Sequence, residues 1–292
     1  MPIAANLLAA GHEVIGFRRS DDSDFKALGG KHASSAREVA ERCAIVLCCI
    51  PSDQALEDVV SGLSGIAVGD CTGRILVELS TLSPEVKARQ AEVLAGRGGV
   101  MLDGAISGLP PMVAARRAIF LLSGDADSFE AVWPVLEALT EKLFYMGAFG
   151  AAMKAKLCAN LLVASNIAAT AETLAFGTKL GLDPLRLIEA LRDGAGGSLQ
   201  FTMRAERMVR GDWHNVLGST AMLTKDIHLI EAASAAAGAP VSVLASAARI
   251  YERAIESGYG ETDVVSVYAA FERQAGLDVP GEGSKDNPEA KR

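Results

Sequence analysis

A chain of 292 residues, half of them apolar and only 5% aromatic, is long enough for two packed domains. Its poverty in aromatic residues suits α/β and helical packing rather than a β-sandwich. A formal net charge of −8, with no basic block to offset it, argues against a nucleic-acid partner.

In chain order, residues 2–10 read as an apolar helix closed by Gly11, and residues 12–17 as a short strand ending in arginines. Up to about residue 147, the apolar runs "AIVLCCI", "RILVEL", "GVMLDGAI", "AIFLLSG" and "KLFYMG" then alternate with stretches apolar at helical spacing. Strands alternating with helices imply a mostly parallel sheet covered on both faces. Ser83-Pro84-Glu85 is a helix start, with proline at the first helical position. Beyond Gly150 the strand signals stop. "AAMKAKLCANLLVASNIAATAETLAFGTKLGLDP" reads as one long helix, about 40 Å at ~1.5 Å per residue, ended by Gly181 and Pro184. Three or four more helices are expected, and the polar, Pro/Gly-rich residues 276–292 read as a disordered tail. The predicted organisation is an α/β domain over residues 1–150, a helical domain over 151–275 and the tail over 276–292.

The five cysteines, Cys43, Cys48, Cys49, Cys71 and Cys158, lack metal-ligand spacing, so no metal is expected. They suit reduced thiols in a cytoplasmic protein. No stretch reads as apolar and charge-free enough to span a bilayer, and no signal peptide is read, so no membrane partner is expected.

Chemistry concentrates in a few short stretches. "FRRS" ends the second predicted element with Arg18, Arg19 and Ser20; read alone it is a solvated basic turn. "CCIPSD" ends a strand at Ile50-Pro51, and "VELSTLSPE" carries Ser80 and Thr81 ahead of a helix. "DGAISGLPPM" holds Ser107 and Gly108 before Leu109-Pro110-Pro111. In "MGAFGAAMKAKLCANLL", Lys156 and Asn160 are four apart and share one helix face, whereas Lys154 points elsewhere. A lysine on an apolar helix is costly to bury unless it works or is paired. "LTKDIHLI" adds Lys225 and Asp226, and "GYGETD" closes the run of motifs.

Taken together and in this order, the stretches resemble the β-hydroxyacid dehydrogenases, over about residues 1 to 273. Those proteins carry D-x-S-T-x-x-P, D-A-P-V-S-G-G, G-x-x-G-x-G-x-x-x-K-x-x-N-N and K-D-x-x-L-A at the matching places. Here Glu78 replaces the first Asp, Leu109 a glycine, Ala152 a glycine and Ala159 the first asparagine. The resemblance implies a Rossmann-type, mostly parallel sheet followed by an all-helical domain joined by a long helix. It also implies an NAD(P)-dependent oxidoreductase interconverting a small β-hydroxy acid and its aldehyde or keto form.

By the same likeness Lys156 is the general acid and base, with Asn160 steering it. Ser107 and Gly108 hold the substrate carboxylate, aided by Lys225 and Asp226. Ile50, Pro51, Thr81 and Lys225 line the cofactor. Arg18, Arg19 and Ser20 stand where a 2′-phosphate is met, so NADP is expected ahead of NAD. A homodimer or homotetramer is expected. Leu109 and the two prolines imply an altered acid pocket.

Family members begin with a strand and G-x-G-x-M-G-x-P-M-A-x-N-L, whereas "MPIAANL" opens this chain. The first strand and glycine turn are thus expected upstream of Met1, with the retained motifs favouring a start assigned too far downstream. The other reading is a non-catalytic or cofactor-defective homologue acting as an assembly partner.

Overall fold

The computed structural model describes residues 1–279, so the expected tail lies largely outside the described residues. The chain divides into two compact units, Met1–Leu157 and Cys158–Arg292.

The first unit alternates helix and strand: α1 Pro2–Ala9, β1 Ile15–Gly16, α2 Ser23–Ala27, β2 Lys31–His32, α3 Ala36–Arg42, β3 Ile45–Cys48 and α4 Asp53–Val60. It continues with β4 Ile75–Glu78, α5 Pro84–Ala95, β5 Val100–Ser107, α6 Pro110–Ala114, β6 Ile119–Ser123, α7 Ala126–Leu136 and β7 Lys142–Tyr145. Helix starts follow local chemistry. Ser35, Ser52, Ser83 and Asp125 each accept a hydrogen bond from a first-turn backbone N–H, satisfying donors that have no intrahelical acceptor. Pro110 and Pro111 likewise open α6, where the lost donors cost nothing because first-turn N–H groups lack helical partners.

The strands form a five-stranded sheet in the order β3-β4-β5-β6-β7 and a separate two-stranded sheet, β1-β2. β3, β4 and β5 are parallel, β6 is antiparallel to β5, and β7 is parallel to β6. The mostly parallel sheet is therefore as expected. β1 is two residues long where six were expected, and β2 carried no sequence signal because Lys31 and His32 are exposed. Side chains alternate between two apolar cores. Leu76 and Met101 pack in one with Val46, Leu56 and Leu94. Their neighbours Val77 and Leu102 pack in the other with Phe120, Val132 and Leu136. Burial on both faces explains why these strands read as continuous apolar runs.

Helix α8, Ala151–Lys179, starts in the first unit and runs on into the second. It passes the length-and-composition test for crossing a bilayer, contrary to the sequence expectation that no stretch would. In its most apolar window 44% is buried inside the protein. The second unit adds α9 Pro184–Arg192, α10 Leu199–Val209, α11 Thr220–Ala237, α12 Ser242–Ala254 and α13 Val267–Ala275. Five α-helices thus follow the long one among the described residues, against three or four expected. Polar links between these helices include two built on Tyr251 and Asp263. The Tyr251 hydroxyl donates to the Ala164 carbonyl at 2.8 Å. The buried Asp263 carboxylate accepts from the Leu217 and Val265 amides while facing Arg204 and Arg207, both at 3.3 Å.

Glu272 on α13 is almost fully buried. Burial pushes its carboxyl up to about 7, against a lowering hydrogen bond with Tyr268 and with added repulsion from Asp278. A raised carboxyl favours the protonated fold, so its stabilisation is fully present below about pH 4.5 and is lost as pH rises through about 7. Between pH 4.5 and pH 8, unfolding of the native chain should lose about 2–3 kcal/mol relative to Glu272→Gln. Denaturant melts at the two pH values check this. An equal gap between the two proteins at both would refute it.

Candidate active site

In the parallel part of the sheet Cys48, Glu78 and Asp103 are in register, so the carboxyl ends of β3 and β4 lie level, and β5 runs four residues further to Ser107. Open α/β sheets bind ligands at that edge. Three of the sequence-predicted pairs follow it: Ile50-Pro51 after β3, Ser80-Thr81 after β4 and Ser107-Gly108 at the end of β5. Two of them are joined directly, since the Ile50 amide donates to the Ser80 hydroxyl at 2.8 Å. Thr81 and Ser107 are half-buried, and Gly108 is exposed. A side chain at Gly108 would bring a Cβ to 2.8 Å from the Ala118 Cβ, so a close approach of backbone to β6 requires glycine there.

Behind this edge lies a charged cluster closed to water. The Lys87 ammonium on α5 sits 2.7 Å from Glu78 Oε2 and 2.8 Å from both Asp103 Oδ1 and the Gly104 carbonyl. The ammonium thus faces three oxygens, donating to Asp103 Oδ1 and the Gly104 carbonyl and pairing in charge with Glu78 Oε2. The three side chains are 0–1% exposed. Glu78 Oε1 accepts the Ser80 amide at 2.8 Å. Asp103 Oδ2 accepts the Ser123 hydroxyl at 3.0 Å and the Met153 amide at 2.9 Å, and Ser123 Oγ accepts the Ala152 amide at 2.9 Å. Burial raises the Glu78 carboxyl, and Lys87 draws it back down. The first turn of α8 is therefore capped by β5 and β6 rather than by a residue of its own segment.

Lys156 stands one turn beyond that capped turn. It is half-buried, whereas Lys154 is exposed, as their helical register requires. Asn160 is 4% exposed and lies in the second unit. Its side-chain amide donates to Asp226 Oδ2 at 2.6 Å, and Asp226 Oδ1 lies 3.0 Å from the Lys225 ammonium. The motif around Asn160 and the Lys225-Asp226 motif thus meet in one contact group.

The arginines after β1 are already engaged with carboxylates. Arg18 pairs with Asp24 and Arg19 with Asp58, each at 2.7 Å, while the buried Arg18 Nε has no hydrogen-bond partner. The Arg19–Asp58 bond ties the "FRRS" turn to α4, the helix that follows Ile50-Pro51. Ser20 is exposed beside them. The buried Arg18 donor and the exposed Arg19 and Ser20 are groups an anionic phosphate could use. Among the described residues, no three His, Cys, Asp or Glu side chains are grouped to hold a metal ion.

Lys87, Asp103 and Ser123 were missed by sequence reasoning. The first carried no sequence signal, because Lys87 and Gln90 are polar and only the fold places them with Leu94 on the buried face of α5.

Residues 1–147 match the NAD binding domain of 6-phosphogluconate dehydrogenase, and residues 150–271 match the NAD-binding domain of NADP-dependent 3-hydroxyisobutyrate dehydrogenase. The mouse mitochondrial 3-hydroxyisobutyrate dehydrogenase is 30% identical over 277 residues, covering 91% of this chain and 82% of its own. The L-threonate dehydrogenase of Cupriavidus necator is 29% identical, with 96% and 94% covered. The crystal structure of Mycobacterium tuberculosis 3-hydroxyisobutyrate dehydrogenase with L-serine is 26% identical, with a TM-score of 0.78 and 94% of each chain covered. With its motifs in order on a matching fold, this chain belongs to the β-hydroxyacid dehydrogenase family, nicotinamide-dinucleotide-binding oxidoreductases.

Proposed function

We propose that this chain interconverts a small β-hydroxy acid and its aldehyde or keto form, with Lys156 as general acid in reduction and general base in oxidation. The observation that carries the reading is the half-buried Lys156. It stands one turn past a helix start bonded to Asp103 and Ser123, in the strands that flank Ser107. An amine held this way keeps its register against the strand that ends in the substrate-binding pair.

Each residue has a distinct task. The Ser107 hydroxyl and the Gly108 amide bind the substrate carboxylate, donors suited to an oxyanion. A nicotinamide dinucleotide held beside Ile50, Pro51 and Thr81 would supply the hydride in reduction and take it up in oxidation. As the carbonyl oxygen gains electron density, Lys156 Nζ gives it a proton, and in oxidation it takes the hydroxyl proton back. Asn160 orients the amine from one turn along the same face, itself anchored on Asp226. Ile50, Pro51 and Thr81 line the dinucleotide, with Lys225 approaching it. The Arg18-Arg19-Ser20 turn meets the 2′-phosphate, which favours NADP over NAD.

The substrates named for the relatives, 3-hydroxyisobutyrate and L-threonate, and the L-serine held by the tuberculosis enzyme, are short carboxylates bearing a hydroxyl. They support that substrate class here. Leu109 in place of a second glycine, followed by the two prolines that open α6, alters the acid pocket, so the substrate is a different member of that class. A cytoplasmic homodimer or homotetramer is the working form we propose.

Kinetics with NADPH and NADH across a panel of short β-hydroxy acids test the reading. Turnover with an NADPH preference is expected. Lys156→Ala should lower kcat by ~10²–10⁴-fold while leaving the dinucleotide Kd within about threefold, a change of less than ~0.7 kcal/mol. Undiminished turnover in that variant would refute the role of Lys156.

A further inference from the structure

We propose that Lys87 is a positioning residue: one buried ammonium holds the Thr81 turn, the Ser107 strand and the Lys156 turn of α8 in a common frame. The proposal rests on the dehydrogenase reading for its catalytic meaning, and on geometry alone for the clamp itself.

The connections can be followed atom by atom from Lys87 Nζ. Toward β4, the ammonium faces Glu78 Oε2, and the other oxygen of that carboxylate accepts the Ser80 amide. Ser80 in turn accepts the Ile50 amide through its hydroxyl. Toward β5, the ammonium bonds Asp103 Oδ1 and the Gly104 carbonyl, three residues before Ser107. Through the second oxygen of Asp103 the same charge reaches the Met153 amide, and through Ser123 the Ala152 amide. Lys156 lies three residues beyond Met153. The segments of the first unit that follow β3, β4 and β5 or open α8 are thus each within three polar contacts of a single nitrogen.

Such a link transmits position because each carboxylate is bidentate in function. One oxygen faces the ammonium and the other faces a backbone amide. Removing the positive charge leaves two buried carboxylates with no counter-ion between them. Repulsion and the entry of water then act directly on the amides those carboxylates accept. Glu78 stands where the family motif has an aspartate, and its carboxylate meets the inward-facing Lys87 at 2.7 Å. A general acid displaced by about 1 Å can lose about 10²-fold in rate, so a clamp this far behind the surface can govern turnover without touching substrate.

The test compares the full-length chain with Lys87→Met, which is close in length but uncharged. Native-state hydrogen exchange should quicken by about tenfold or more in both the 78–83 and the 150–156 segments, with α7 unchanged. Acceleration in only one segment, or in neither, overturns the proposal. If Lys87→Met does not fold, Asp103→Asn weakens one arm at constant shape. It should quicken exchange at 150–156, and no change there overturns the proposal. In kinetics, Lys87→Met should lower kcat by ~10²-fold, and undiminished kcat in that variant overturns the positioning role. Absence of turnover in the unaltered chain would defeat the dehydrogenase reading alone, with the exchange result still deciding the clamp.

Discussion

An ammonium buried between two carboxylates is an expensive way to build a protein core. Desolvation opposes every charge in it, and a well-packed apolar cluster of the same volume is often as stable. The Glu78–Lys87–Asp103 cluster sets one ammonium between two carboxylates, and the other oxygens of those carboxylates are used by backbone amides and Ser123. Removing one partner from such a cluster costs about 3–5 kcal/mol, a large share of the stability of a typical domain. What the cluster does that an apolar core could not is fix direction. Dispersion contacts tolerate small slides, whereas a carboxylate shared between an ammonium and an amide has one geometry.

That constraint explains how the first unit prepares its site. The parallel strands β3, β4 and β5 bring three short turns to one edge of the sheet, and the antiparallel β6 contributes Ser123, which with Asp103 caps the start of α8. The two apolar cores on either side of the sheet supply the bulk of the stabilisation, and the charged cluster sets the register of what emerges from it. In the second unit a similar device recurs. Asn160, Asp226 and Lys225 are joined by one carboxylate, and Asp263 gathers two arginines and a loop. In both units, buried carboxylates mark the places where backbone geometry has to be exact to within a hydrogen bond.

Much of this was legible before any coordinates. Strands buried on both faces announce themselves as apolar runs, which is why β3 to β7 were found, and the 29 residues of α8 were readable from uninterrupted helical composition. β2 was invisible because two exposed polar residues carry no period. The late helices are separated by local signals, the Ser198 cap after a glycine-rich turn and the left-handed Gly238 among them, which the expected count of three or four did not use in full. The site residues were recognisable as motifs, whereas Lys87 was not. Its importance arises from Glu78 and Asp103, which lie nine positions before it and sixteen after it in sequence, and which only sheet register brings to the same nitrogen. Sequence reading treated Glu78 as a substitution within a motif, and the fold gives it Lys87 as a partner.

The shielding of the Lys87 ammonium from water is the most direct gauge of this account. Nitrogen-15 spectroscopy of the lysine side chains in the intact protein should resolve one ammonium whose protons exchange slowly with water and correlate with the carboxylates of Glu78 and Asp103. A Lys87 ammonium exchanging as fast as the surface lysines would contradict it.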